Sequence, residues 1–241
     1  MSDETEQAME LPHTPVFAPD LEARLEAFSG ALLEANRSVN LVSRQDTASH
    51  VRRFVAESLF LAKLLAADKS AREAPVRLLD IGSGGGFPGL VIKLALPETE
   101  VTLVEATQKK ARFLADACRQ LELHGTTVLW ARAEALSDRK SSSYRQDLRH
   151  HFDWVTAKAV GSLRESLDLS APFLAPGGVH WTFKGPAVES EIAVCKRRLE
   201  QLHCAVAGVE RIPGDQGSFV VAIRRGVSPE RNVSRETSTP E

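Results

Sequence analysis

Apolar and amphipathic segments alternate along the chain from residue 76 onward. Short apolar runs predict strands at about Val76–Ile81, Glu100–Glu105, Thr126–Ala131, Asp153–Ala157, Val179–Lys184, Val206–Ile212 and Phe219–Arg224. Helical spacing predicts helices at about Pro88–Leu96, Gln108–Leu123, Leu163–Phe173 and Val188–His203. This alternation indicates an α/β fold with a doubly wound, mostly parallel seven-stranded sheet. The short polar link before Phe219 predicts that the last strand runs antiparallel.

Two more amphipathic segments precede the first strand. Asp20 is placed to cap the first helix, and Thr47 or Ser49 to cap the second. We expect this N-terminal helical extension, residues 19–70, either to cover a face of the sheet or to stand as a small appendage beside it. The α/β domain is predicted at residues 71–225. The flanking segments, residues 1–18 and 226–241, lack apolar periodicity and are predicted to be disordered.

A glycine-rich segment, residues 80–89, follows the first strand and leads into a helix, which is how α/β sheets build a ligand site at their carboxyl edge. The acid Asp80, just before the glycines, would repel a pyrophosphate, which disfavours a nicotinamide dehydrogenase. It suits S-adenosylmethionine, whose ammonium and sulfonium groups are cationic. Glu105 ends the second strand, 25 positions after Asp80 (105 − 80), and suits the ribose hydroxyls. With Gly82 and Gly84, these acids predict an adenosylmethionine site. A glycine-rich turn in another α/β protein is the alternative.

Composition narrows the class of protein. The 241 residues, 43% hydrophobic and 26% charged, are typical of a soluble globular protein. The sequence has no membrane-length apolar run and no secretory signal, and its three cysteines form no C-x-x-C pair, so we expect a cytoplasmic protein with free thiols and no membrane partner. The net charge of −2 argues against coating nucleic acid by bulk charge, although it permits a local basic patch.

Several short motifs between residues 40 and 224 together resemble one family. They are Asn40-Leu41-Val42-Ser43, the Gly86-Phe87-Pro88-Gly89 end of the glycine loop, Lys109-Lys110-Ala111-Arg112-Phe113-Leu114, Arg132-Ala133-Glu134, Lys158-Ala159 and Lys184-Gly185. This set resembles the small-subunit ribosomal RNA guanine-N7 methyltransferases, the glucose-inhibited division protein B family. The glycine loop alone indicates only a methyltransferase, whereas its ending and the Lys-Lys-x-Arg-Phe-Leu motif are more specific.

The resemblance implies a class I methyltransferase-like fold, S-adenosylmethionine as the cofactor, and small-subunit ribosomal RNA or an assembling small subunit as the partner of a monomeric enzyme. It implies that Gly82 and Phe87 contact the cofactor and that Ala133 and Glu134 lie on its adenine side. Lys158 stands where the family usually has arginine, which keeps the charge and loses the planar fork. The family's His-x-x-Asp-Ser motif reads Phe54-Val55-Ala56-Glu57-Ser58, so we expect no histidine-dependent step there.

The chemistry implied is methylation of guanine N7, which carries a lone pair and no proton. It needs no general base, so we predict no catalytic side chain. His124, His150 and His151 lack the spacing of metal ligands, so we predict no metal. Methylation of a small molecule or a protein, or a noncatalytic RNA-binding module, are the alternatives. The acids Asp80, Glu105 and Glu134 also have purely structural interpretations, as a turn cap, a surface charge and a helix-entry carboxylate.

Basic residues are the candidates for RNA contact. Lys158, Arg164 and Lys184 are expected to gather at the carboxyl edge and neutralise phosphates. Lys109 and Lys110 open a helix, against its macrodipole, which indicates either anion contact or a solvated face.

Overall fold

The computed structural model describes residues 17, 19–68, 75–214 and 217–226. The terminal segments for which we predicted disorder lie almost wholly outside these residues. The helices are α1 Leu21–Ala35, α2 Thr47–Ala67, α3 Gly89–Ala95, α4 Gln108–Gln120, α5 Ala133–Ser137, α6 Leu163–Ser170 and α7 Val188–Gln201, with a 3-10 turn at Gln146–Leu148. The strands are β1 Arg77–Ile81, β2 Glu100–Glu105, β3 Thr126–Trp130, β4 Phe152–Ala157, β5 Leu174–Lys184, β6 Cys204–Arg211 and β7 Phe219–Arg225.

The seven strands form one sheet in the order β3-β2-β1-β4-β5-β7-β6. Strands β1 to β5 pair in parallel, and β7 runs antiparallel to both β5 and β6. The predicted α/β fold class is therefore confirmed, including the antiparallel last strand. Because β1 lies between β2 and β4, the chain reverses its direction of travel across the sheet beside β1, where such sheets hold their ligands.

The N-terminal helices cover one face of this sheet. Phe28 and Leu32 of α1 and Leu61 of α2 are fully buried in the same apolar cluster as Leu78 of β1 and Leu90 of α3. Burying each such side chain contributes about 1.5–3 kcal/mol. Of the two arrangements that the sequence left open for these helices, the structure thus shows the one in which they share the core of the sheet.

The caps of the N-terminal helices differ from the prediction. Asp46, and neither Thr47 nor Ser49, caps α2, with a left-handed φ of 50° and a side chain that accepts a hydrogen bond from Ser49 N. Asp20 precedes α1 without a side-chain cap. Asp tolerates the left-handed region better than most residues, which explains its use at this sharp entry.

Strand β5 begins five residues earlier than predicted, at Leu174 in place of Val179 (179 − 174). Its start passes through Pro176 and two glycines, which do not read as a strand. A Cβ at Gly178 would lie 2.9 Å from Phe152 O, so the close approach to β4 requires glycine there. The pairing of β4 with β5 shifts register at the same place.

Candidate cofactor and substrate site

The glycine loop leaves β1 in a conformation that only glycine adopts without strain. Gly82, Gly84 and Gly86 have φ values of +73°, +53° and +95°. The loop is tied to β2, since the backbone N–H groups of Gly82 and Ser83 both donate to Val104 O, at 2.9 and 3.1 Å. Gly82 is exposed and Gly84 half-buried at the carboxyl edge of the sheet. The loop therefore offers bare backbone to a ligand there.

Asp80 supports this loop from beneath. Its fully buried carboxylate accepts hydrogen bonds from Thr156 Oγ1 at 2.8 Å and from Gly89 N at 3.2 Å, so it joins β1 to β4 and to the start of α3. Burial raises the pKa of this carboxyl to about 6, against the lowering effect of these hydrogen bonds. Both oxygens face protein donors, away from the accessible edge.

Gly89 fits closely against this carboxylate. A Cβ at this position would lie 2.7 Å from Asp80 Oδ2 and 2.9 Å from Asp80 Cβ. Helix α3 must therefore start on glycine, and the Gly-Phe-Pro-Gly ending of the loop has a steric reason.

Glu105 joins the end of β2 to the same loop. Its Oε2 accepts from Gly84 N at 3.0 Å, and its Oε1 accepts from Thr107 N at 2.7 Å. Each carboxylate oxygen can accept a second hydrogen bond, so two hydroxyl groups can still be bound. Glu105 is therefore placed to serve the loop and a ribose together.

The remaining predicted cofactor residues differ in accessibility. Glu134 is exposed in α5, just beyond β3, and Ala133 beside it is buried. The sequence did not predict this short helix, because five residues give too little periodicity. Phe87 is buried, with its ring packed edge-on against Phe28 and Phe54 at centroid distances of 5.5 Å.

Lys158, directly after β4, lies in a largely buried ion pair. Its Nζ is 2.5 Å from Glu57 Oε2 and 3.5 Å from the centroid of the Phe54 ring. Burial lowers the pKa of Lys158, and the Glu57 carboxylate opposes this effect. Helix α2 thus supplies both a carboxylate and an aromatic face to the residue at the end of β4.

Glu57 and Phe54 were seen in the sequence only as departures from the family pattern, and their link to Lys158 was missed. A signal was present. Against the family pattern that the chain resembles, lysine stands at 158 in place of the usual arginine and glutamate stands at 57 in place of aspartate. The two departures concern side chains of opposite charge, and the structure places them in contact.

Lys158, Arg164 and Lys184, which we expected to gather at the carboxyl edge and neutralise phosphates, all make ion pairs within the protein. Lys184 Nζ lies 3.1 Å from Glu191 Oε2 and donates to Gly161 O at 2.9 Å, while Arg164 pairs with Asp168 at 3.9 Å. Glu191 of α7 thus neutralises Lys184, whereas Arg164 is 65% exposed and shares Asp168 with Arg198, whose Nε lies 2.5 Å from that carboxylate. Lys184 holds the loop after β4 in place.

Neither a metal site nor a membrane-spanning helix is found in the described part of the chain. There, no group of three or more His, Cys, Asp or Glu side chains is arranged to hold a metal ion. Within the same residues, no helix combines the length and apolar character needed to cross a bilayer.

Comparison with known proteins agrees with this geometry. The model of the GidB family, rRNA small subunit methyltransferase G, matches residues 21–217. The ribosomal RNA small subunit methyltransferase G of Sorangium cellulosum is 38% identical over 88% of this chain and 84% of its own. That of Chloroflexus aggregans is 36% identical over 84% and 81%. Among solved structures, a predicted O-methyltransferase from Agrobacterium tumefaciens is 25% identical, with a TM-score of 0.50 over 70% of this chain and 80% of its own.

Proposed function

Because this chain belongs to the rRNA small subunit methyltransferase G family, we propose that it transfers a methyl group from S-adenosylmethionine to N7 of a guanine in small-subunit ribosomal RNA. The observation that carries the proposal is the junction of Gly84 with Glu105, at the carboxyl edge of a sheet with methyltransferase topology. Family membership supports the substrate, and this junction supports the cofactor.

The residues present fit the cofactor. Glu105 has acceptor capacity left for the two ribose hydroxyls, and the loop at Gly82 and Gly84 has no side chains to block approach. Ala133 and Glu134 lie beyond β3, one strand further along the same edge, where we place the adenine. We assign Asp80 to holding the loop, since its carboxylate faces Thr156 and Gly89. Phe87 acts through its packing beneath the loop.

When bound, S-adenosylmethionine supplies an electrophilic methyl group on a sulfonium. The chain's own contribution is positioning, because guanine N7 attacks with a lone pair and releases no proton. Lys158 is held at the edge of the same site by Glu57, and its ammonium is a hydrogen-bond donor for the target guanine or a phosphate. No general base is required of any side chain.

We also propose that the enzyme works as a monomer in the cytoplasm. The described cysteines, Cys118, Cys195 and Cys204, are all free thiols. Such thiols are typical of proteins kept in a reducing compartment. Light scattering on the purified protein measures its mass directly, and a dimer would contradict the monomer.

The test of function uses small subunits from cells that lack this protein. They are incubated with the purified protein and methyl-labelled S-adenosylmethionine, and N7-methylguanine is mapped by strand cleavage. We expect one labelled guanine in the small-subunit RNA. Label on another atom, on ribosomal protein or on a small molecule would refute the proposal. Naked RNA in parallel shows which form is the substrate.

A further inference from the structure

Trp130 is an exposed aromatic residue fixed at the carboxyl edge of the sheet. It ends β3, an edge strand, and its side chain is 60% exposed. Its indole N–H donates to Ala106 O at 3.0 Å, so the ring is held in one orientation. The other two tryptophans, Trp154 and Trp181, are 3% and 7% exposed. A large ring kept open to solvent and anchored by a hydrogen bond is suited to contact a partner.

Cations without an ion pair follow the ring and its hydrogen-bond acceptor in the chain. Lys109, Lys110 and Arg112 of α4 and Arg132 after β3 make no ion pair with any described carboxylate, in contrast to Lys158 and Lys184. The first turn of α4 contains no acid, so its lysines oppose the helix macrodipole without compensation. Such unpaired positive charge is typical of an anion-binding surface.

The ring and α4 lie on the same side of the sheet. Val128 belongs to the apolar cluster that contains Phe113 and Leu114 of α4, whereas Leu129 belongs to the cluster on the other face. Side chains alternate along a strand, so Trp130 points to the α4 side together with Val128. The Ala106 carbonyl that anchors it lies two residues before α4 begins.

We propose that Trp130 is a stacking platform for an unpaired base of small-subunit ribosomal RNA, and that Lys109, Lys110 and Arg132 contact the flanking phosphates. That the partner is small-subunit ribosomal RNA rests on the proposed function. A single-stranded segment fits because its bases offer free faces, whereas a duplex hides them. Of the two acids that lie at the ends of β2 and β3, Glu105 is buried and accepts from the backbone of Gly84 and Thr107, whereas Glu134 is exposed. The four cations named above therefore exceed the accessible acid, which favours a polyanion over an apolar protein surface.

The platform lies next to the cofactor site. Trp130 is the register partner of Glu105 on β2, and neighbouring strands are about 4.8 Å apart. RNA stacked on Trp130 would therefore pass the mouth of the site. The competing role for the ring is contact with the adenine of the cofactor.

Tryptophan fluorescence distinguishes the two roles. A single-stranded oligoribonucleotide of mixed sequence should quench the wild-type emission, the same sequence in a duplex should not, and Trp130→Phe should lose the effect. Failure of the oligoribonucleotide to quench would overturn the proposal. Quenching of Trp130 by S-adenosylmethionine alone would assign the ring to adenine and would also overturn it.

Methylation kinetics give a second readout. Trp130→Ala should raise KM for small subunits about tenfold, which corresponds to ~1.4 kcal/mol, with KM for S-adenosylmethionine unchanged. Trp130→Phe should recover most of this loss, since it keeps a ring. A folded Trp130→Ala variant with wild-type KM for subunits would refute the stacking platform. The proposed function is tested separately, since it requires only that the wild-type protein methylates the subunits.

The cations are tested by salt dependence. Lys109→Gln should reduce the slope of RNA affinity against salt by about one, because one phosphate contact is lost. The matched control is Lys196→Gln, at an exposed lysine of α7 that has no described ion pair, and it should leave the slope unchanged. Equal slopes for the two variants would show that Lys109 makes no phosphate contact.

Discussion

Replacing Glu57 with glutamine removes the carboxylate that faces Lys158. The two side chains are 8% and 13% exposed, so the ion pair is largely out of water. Breaking a buried pair by removing one partner costs about 3–5 kcal/mol, because the remaining charge stays desolvated. The Phe54 ring, 3.5 Å from Lys158 Nζ, keeps a cation–π attraction of up to about 2 kcal/mol. We therefore expect Glu57→Gln to lower the free energy of unfolding by about 3 kcal/mol at pH 7.

The pH dependence has a definite sign. Burial already holds the pKa of Lys158 below 10.5, and loss of Glu57 removes the main effect that raises it. In the variant the folded state therefore releases the proton at lower pH than in the wild type. A lysine whose folded pKa is below its unfolded pKa makes the folded state more stable as pH rises. The gap in stability between the variant and the wild type should narrow from pH 7 toward pH 10.

Urea unfolding measures these changes, and an exposed ion pair is the matched control. Glu34 and Arg37 lie 3.0 Å apart with side chains 71% and 78% exposed. Glu34→Gln should cost under about 1 kcal/mol, as for other surface pairs. Wild-type stability of Glu57→Gln at pH 7 would show that the Lys158 pair contributes nothing.

Exchange of the pair for a shorter acid and a longer base tests the contact itself. Lys158→Arg alone places a larger group against Glu57, and Glu57→Asp alone leaves a gap. The double variant restores the combined length, so its cost should be smaller than the sum of the two by about 1 kcal/mol or more. Methyl transfer should recover in the double variant as well. Additive effects on both readouts would refute the reasoning.

Three further predictions concern the loop. Glu105→Ala removes the acceptor for Gly84 N and should weaken S-adenosylmethionine binding by about 1–3 kcal/mol in calorimetric titration; unchanged affinity would remove Glu105 from the site. Gly84→Val should abolish that binding, because φ is +53° and valine would distort the loop. Circular dichroism should show an intact fold, because the nearest atom to a Cβ is 3.7 Å away; normal affinity would make the loop only a turn. Burial raises the pKa of Asp80 from 3.8 to about 6, so its contribution to folding falls as pH rises through that range. Asp80→Asn should therefore gain up to about 3 kcal/mol over the wild type between pH 4 and pH 7 in urea unfolding, and a constant difference would contradict this.

The parallel strands could be predicted from sequence because each contains an apolar run, which is buried in β1, β2 and β4 and only half-buried in the edge strand β3. Strand β2, Glu100–Glu105, has the predicted bounds, and β1 and β3 differ by one residue at one end. Strand β5 was predicted less well, since its Pro-Gly-Gly start is set by contact with β4 and not by local preference. Local pattern identifies burial along one strand, whereas a close approach between two strands leaves little trace in either.

The candidate site shows the same division. Gly82 and Gly84 follow β1 and Glu105 ends β2, so the parallel topology alone brings them to one edge. The ion pairs of Lys158 and Lys184 depend on where α2 and α7 place their acids. Sequence reasoning placed both lysines at the carboxyl edge and could not foresee that helices would neutralise them.

The aromatic contacts show why the N-terminal helices belong to the site. Phe28 of α1 packs against Phe87 of the glycine loop, Phe87 packs against Phe54 of α2, and Phe54 lies under Lys158. Each ring in this row is in contact with the next, so α1 cannot shift without moving the loop or the lysine. The loop is thus supported from below by Asp80 and from the side by two helices that precede the sheet in sequence. A cofactor site built from bare glycine backbone has no side chains of its own to define its shape, and in this protein the helical extension provides that definition.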